Sequence, residues 1–109
     1  MDRLTTARID GIHSNMKAAL VMRQRAELDD DSFIEVVIWK LPQPLAGSAH
    51  FYKYRLALVS ENCCVLRYDN EAGKGDHKHV DELEVEYVFA GIDRLLADFF
   101  REVEIWRLR

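Results

Sequence analysis

Apolar side chains follow two periods along this chain, an alternation of two through most of its length and a spacing of three and four near its end. Phe33, Ile34, Val36, Val37, Ile38 and Trp39 form a β-prone run that closes at Leu41. In Lys17 to Leu28, Ala18, Leu20 and Met22 alternate as in a strand, although the alanines and leucines also favour helix. The turn-forming Asp29-Asp30-Asp31-Ser32 between the two segments decides for a hairpin. Pro42, Pro44, Gly47 and Ser48 then interrupt the pattern.

Alternation resumes with Tyr52, Tyr54, Leu56 and Leu58 on one face of a third strand, and Lys53 and Arg55 on the other. Ser60-Glu61-Asn62 is a short polar turn, and Cys63 to Tyr68 predicts a fourth strand. Leu83, Val85, Tyr87 and Phe89 alternate with Glu84, Glu86 and Val88 and predict a fifth, acidic on its outer face. After Gly91 the period changes, because Ile92, Leu95, Leu96, Phe99, Phe100 and Val103 line one stripe of a helix. Such a stripe requires a sheet or a partner to cover it, and packing on its own sheet is the simpler outcome. Trp106 lies past the stripe and is expected to pack on that sheet as well. The expected fold is therefore α+β, a mainly antiparallel sheet of about five strands with a C-terminal amphipathic helix packed on it.

With 109 residues and no repeat or linker, the chain predicts a single domain over 1–109, in which 1–15, with no firm period, form an N-terminal extension. Met16 precedes the first patterned segment and is an alternative start of translation. The two cysteines, Cys63 and Cys64, are adjacent and poorly placed for a mutual disulfide, which points to a reducing, cytoplasmic setting. Neither a secretory signal nor a membrane-spanning stretch is evident, so no membrane partner is expected. A net charge of −4 argues against unspecific nucleic-acid binding, but the acidity is mostly C-terminal. Residues 52–79 hold five basic and four acidic groups, and residues 80–109 four and eight.

The unpatterned run from Tyr68 to His79 carries the densest chemistry. Gly73 and Gly75 flank Lys74, which lets the backbone take positive φ or approach an anion. His77 and His79, two apart, point the same way in extended backbone, while Lys78 points the other. Metal-free cleavage of RNA needs a base for the 2′-hydroxyl, an acid for the leaving oxygen, and cations around phosphorus. His77 and His79 can supply acid and base, since imidazole titrates near pH ~6.5. Lys74 can supply charge, Tyr68 can orient the ribose or relay a proton, and Asp69 or Asp76 can fix an imidazole tautomer. Lys53, Arg55, Arg67, Lys78 and the backbone at Gly73 and Gly75 are candidate substrate contacts. Two other readings stay open: an ordinary turn with surface histidines, and a zinc or manganese site built from His77 and His79 with Asp69 or Asp76. The metal reading lacks a second His/Cys pair, so no cofactor is expected. His13 and His50 are expected to be solvated.

Tyr52-Lys53-Tyr54-Arg55-Leu56-Ala57, Tyr68-Asp69-Asn70 and Gly73-Lys74-Gly75-Asp76-His77-Lys78-His79 together resemble the TumE family of toxins from type II toxin–antitoxin systems. Phe33-Ile34-Glu35, Ile38-Trp39 and Leu95-Leu96-Ala97-Asp98-Phe99 are also similar, so the resemblance covers about residues 16–103. It implies a growth-inhibiting protein held silent by a cognate helix-turn-helix antitoxin. RNA as target is an expectation by analogy with other small α+β toxins. Whether the chain is an enzyme stays open between a ribonuclease and a non-enzymatic binding module, as does self-association into a homo-oligomer.

Overall fold

A computed structural model describes residues 17–109; the expectations for 1–15, Met16 and His13 lie outside it. The described chain is a six-stranded antiparallel sheet in which every strand pairs with its sequence neighbours, followed by one helix. The strands are β1 (Ala19–Asp29), β2 (Ser32–Lys40), β3 (Tyr52–Ser60), β4 (Cys63–Glu71), β5 (Gly75–Val80) and β6 (Leu83–Glu86), and the helix is α1 (Ile92–Arg107). No described helix is long and apolar enough to cross a membrane.

The turns follow from local chemistry. Asp29 Oδ1 accepts the Asp31 amide and the Ser32 hydroxyl, both at 2.8 Å, and closes the β1–β2 hairpin. Glu61 and Asn62 take φ of 51° and 66°, as a two-residue hairpin between twisted strands requires. Inward alternation of Ile34, Val36 and Ile38 on β2, Tyr54, Leu56 and Leu58 on β3, and Leu66 and Tyr68 on β4 builds one apolar face. Leu95, Phe99 and Val103 of α1 cover it, and Trp106 packs at its margin. Burying each such side chain is worth about 1.5–3 kcal/mol before entropy is counted.

The sheet has one strand more than the alternation predicts, and the difference falls on the polar run. Tyr68 to Glu71 continue β4 and Gly75 to Val80 form β5, so the run is a hairpin with its turn at 72–74. Polar residues on both faces conceal its period. Asn70, on the helix-covered face, is fully buried, and both its amide hydrogens and its carbonyl oxygen are engaged. Its Oδ1 accepts the Tyr54 amide at 3.0 Å, and its Nδ2 donates to the Tyr52 carbonyl at 2.8 Å and to Ser48 Oγ at 3.3 Å.

The expected fifth strand, Leu83 to Phe89, is the short β6, whose four residues are all exposed. Tyr87 keeps one amide bond to the Asp76 carbonyl at 3.1 Å while its phenol donates to Asp98 on α1 at 2.6 Å, and Phe89 stacks on His50 at 3.8 Å. Competition from these tertiary partners ends the strand early.

Candidate functional site

Pairing of β4 with β5 sets Asp69 opposite His77 and Arg67 opposite His79. Arg55 of β3 lies opposite Asp69 on its other side, while Glu86 and Glu84 of β6 lie opposite His77 and His79. Period-two geometry puts all of these on the sheet face away from α1. Two rows therefore cross the sheet, Arg55–Asp69–His77–Glu86 and Ala57–Arg67–His79–Glu84. Lys53 belongs to the same face as Arg55, two residues along β3.

The groups are close. His77 Nε2 is 2.9 Å from Asp69 Oδ1, Arg67 Nε is 3.1 Å from Asp69 Oδ2, and Arg67 donates to His79 Nε2 at 2.8 Å. The two imidazole centroids are 5.1 Å apart. Glu84 Oε2 lies 3.2 Å from Lys74 Nζ and 3.6 Å from His77 Nε2. Lys53 donates to the Asn70 carbonyl at 2.6 Å.

Hydrogen bonding fixes the tautomers. A carbonyl only accepts, so the 3.1 Å contact between His77 Nδ1 and the Gly75 carbonyl puts the proton on Nδ1. A guanidinium only donates, so His79 Nε2 presents its lone pair to Arg67. Around Asp69, distance and direction disagree. His77 Nε2 and Arg67 Nε stand at ion-pair separations from the carboxylate, yet neither they nor Asp69 Oδ1 completes a hydrogen bond. Direction decides, and these three buried atoms are close without being bonded.

Burial pushes the Lys53 ammonium below its ordinary value, against the opposing pull of Asp69 and Glu71. The Glu84 hydrogen bond raises Lys74, and the same bond lowers Glu84. Cationic groups and the partly exposed His79 thus share this face with the buried Asp69 and His77, an arrangement that can hold a phosphate with a proton donor or acceptor beside it. Asp69, His77 and His79 also offer ligand atoms within 4.8 Å of one another, a set able to take a metal ion.

Of the residues singled out from sequence, His77, His79, Asp69, Arg67 and, through Glu84, Lys74 come together, with Lys53 and Arg55 flanking them on the same face. Tyr68, Asp76 and Lys78 go to the opposite face. There Tyr68 donates to Glu102, and Lys78 meets the other Glu102 oxygen at 3.1 Å. Burial and that hydrogen bond raise the Tyr68 phenol. Asp76 accepts from Ser48 at 3.0 Å, from Tyr54 at 2.7 Å and from His50 at 2.7 Å.

His50 is consequently not solvated. Its Nδ1 accepts the Tyr52 amide at 3.1 Å, which leaves Nε2–H for Asp76. Gly75, at φ 79°, is approached by the chain's own Gly47 carbonyl, and a Cβ there would sit 2.9 Å from that oxygen. Gly73, at φ 87°, faces open space. Glu84 is the site residue that the pattern did not single out; its alternation with Leu83 and Val85 was the available signal.

A family model described as Toxin TumE matches residues 5–107, a longer span than the 16–103 of the motif resemblance, and one that takes in most of the first fifteen residues. No curated protein and no solved structure matches the chain. Because the match covers nearly the whole sequence, including every strand and the helix described above, the chain belongs to the TumE family of toxins.

Proposed function

We propose that this toxin acts on RNA, cleaving its phosphodiester backbone on the face that carries Asp69, His77 and His79, and that a helix-turn-helix antitoxin holds it silent. The observation that carries the reading is the convergence of two imidazoles, 5.1 Å apart, with Arg67 on an open sheet face next to Lys53 and Arg55. The cations would neutralise the backbone phosphates and the phosphorane-like transition state. His79, the more exposed ring, would exchange a proton with a ribose hydroxyl or leaving oxygen, and the enclosed His77 would back it from beneath. Tyr68 and Lys78, on the opposite face, hold the sheet against α1, and Asp76 holds the loop between β2 and β3, so their part in the reaction is indirect.

Expression of the chain alone in bacteria is expected to arrest growth. His77→Ala should relieve the arrest while the purified variant keeps its circular dichroism and melting transition. Purified wild-type protein should cut single-stranded RNA with multiple turnover, falling about 100-fold or more in the variant. A folded His77→Ala/His79→Ala double variant that remains fully toxic would refute the assignment. Growth arrest without RNA turnover would replace it with a non-enzymatic binding module.

A further inference from the structure

Asp69 and His77 are the most enclosed ionisable groups of the site, 8% and 4% exposed. With its Nδ1 proton given to the Gly75 carbonyl, His77 leaves the Nε2 lone pair beside Asp69 Oδ1, only 2.9 Å away. Two electron-pair donors that close, both shielded from water, repel unless positive charge lies between them. A proton on Nε2 is the smallest such charge, but the ring does not aim Nε2 at Oδ1, and both atoms stay without a hydrogen-bond partner.

A cation set off the line between them answers both observations. Two ligand atoms each about 2.1 Å from an ion, and about 90° apart around it, stand about 3.0 Å from one another. His79 emerges on the same side, with its ligand atom within 4.8 Å of the other two. At 23% side-chain exposure it has room for the small ring movement that brings it in, releasing Arg67. Arg67 then remains beside the second Asp69 oxygen, where it orients the carboxylate as outer groups around metal ligands do.

We propose that Asp69, His77 and His79 form a binding site for one divalent transition-metal ion of the zinc or manganese class. One carboxylate and two imidazoles suit those ions, whereas magnesium and calcium prefer oxygen throughout. From sequence the histidine pair lacked a defined third ligand; strand register supplies it in Asp69. When bound, such an ion would supply Lewis acidity on the exposed side, and His77 and His79 would serve as its ligands in place of the proton transfer proposed above. The site stands whether or not RNA is the target of the toxin.

The test is a calorimetric titration of the full, chelator-stripped chain with ZnCl2 and, separately, MnCl2. One ion per chain is expected, bound about tenfold or more weakly by His77→Ala and by Asp69→Asn, and unchanged by Glu104→Gln on the exposed side of α1. In 15N spectra of the wild type, Zn2+ should shift the His77 Nε2 resonance. Mn2+ should broaden signals of Arg67, Asp69, His77 and His79 and spare those around Glu104, a readout that needs no variant to fold. The proposal is overturned if wild type takes up neither ion, if both site variants bind as wild type does, if broadening centres elsewhere, or if His77 Nε2 keeps a proton at saturating Zn2+.

Discussion

Gly75 lends itself to a quantitative test, because its two readings predict opposite things. If the glycine exists to let backbone amides approach a phosphate, Gly75→Ala should weaken binding and leave stability nearly unchanged. In the structure the space is already filled. The residue lies at φ 79°, and an added Cβ would meet the Gly47 carbonyl at 2.9 Å, below any ordinary contact. Left-handed backbone costs an alanine about 1–2 kcal/mol. Relief of the clash must come from moving backbone, since the Gly47 carbonyl is main chain and a Cβ has no rotamer by which to avoid it. The loop that would move also supplies the Ala46 carbonyl to the Gly73 amide at 2.6 Å, a hydrogen bond worth about 1 kcal/mol. Gly75→Ala should therefore cost about 2–4 kcal/mol in total. Gly73→Ala is the matched control: φ is 87° and nothing lies within 4 Å of its Cβ, so it pays only the conformational cost of about 1–2 kcal/mol. Urea unfolding reads the difference as a lower midpoint at unchanged slope, about 1 M apart for a slope of about 1–3 kcal/mol/M. Equal midpoints for the two variants, with RNA affinity lost in Gly75→Ala alone, would refute the packing argument and restore the anion cradle.

Two further outcomes follow from charge. Burial, followed by hydrogen bonds to Asp76, Glu102 and Asp98, raises the phenols of Tyr54, Tyr68 and Tyr87 above their ordinary value. Groups whose folded pKa is raised stabilise fully below the unfolded value, about pH 10, and lose that contribution as pH climbs toward the folded one. Urea midpoints should thus fall steadily above pH ~10, and Tyr68→Phe should flatten that fall; a midpoint independent of alkali would contradict the buried-phenol picture. For RNA, Lys53→Ala and Arg55→Ala should each weaken binding at low salt and make the slope of log K against log salt shallower by about 0.7 for each phosphate no longer neutralised. Unchanged slopes in filter-binding titrations would remove this face from the RNA interface.

Much of the architecture was written in the apolar pattern. The stripe of Leu95, Phe99 and Val103 placed the helix, the alternation of Tyr54, Leu56 and Leu58 placed the core face of β3, and Asp29 to Ser32 placed the first turn. β5 escaped because its alternation is polar on both sides, histidines on one face and Asp76 and Lys78 on the other. Only bonds from distant residues such as Ser48, His50 and Glu102 make its inner positions acceptable. For the same reason the candidate site was legible as a cluster along the chain but not as an arrangement in space. Period two could say that His77 and His79 share a face. It could not say that Asp69 stands across from His77, because cross-strand register depends on the turn at 72–74, nor that Tyr68 and Asp76 turn away. Residues adjacent in sequence were thus divided between two jobs, chemistry on the open side and fastening on the covered side.

The order of elements has a kinetic consequence. Every strand precedes α1, so during synthesis the sheet can pair hairpin by hairpin while Ile34, Ile38, Leu56 and Tyr68 still lack their cover. At about 5–20 residues per second, the 16 residues of α1 take about 1–3 s to translate. Through that interval a nascent toxin exposes a sticky surface and has no finished fold, a window in which a chaperone, or an antitoxin able to mimic the helix, could capture it before it ever becomes harmful.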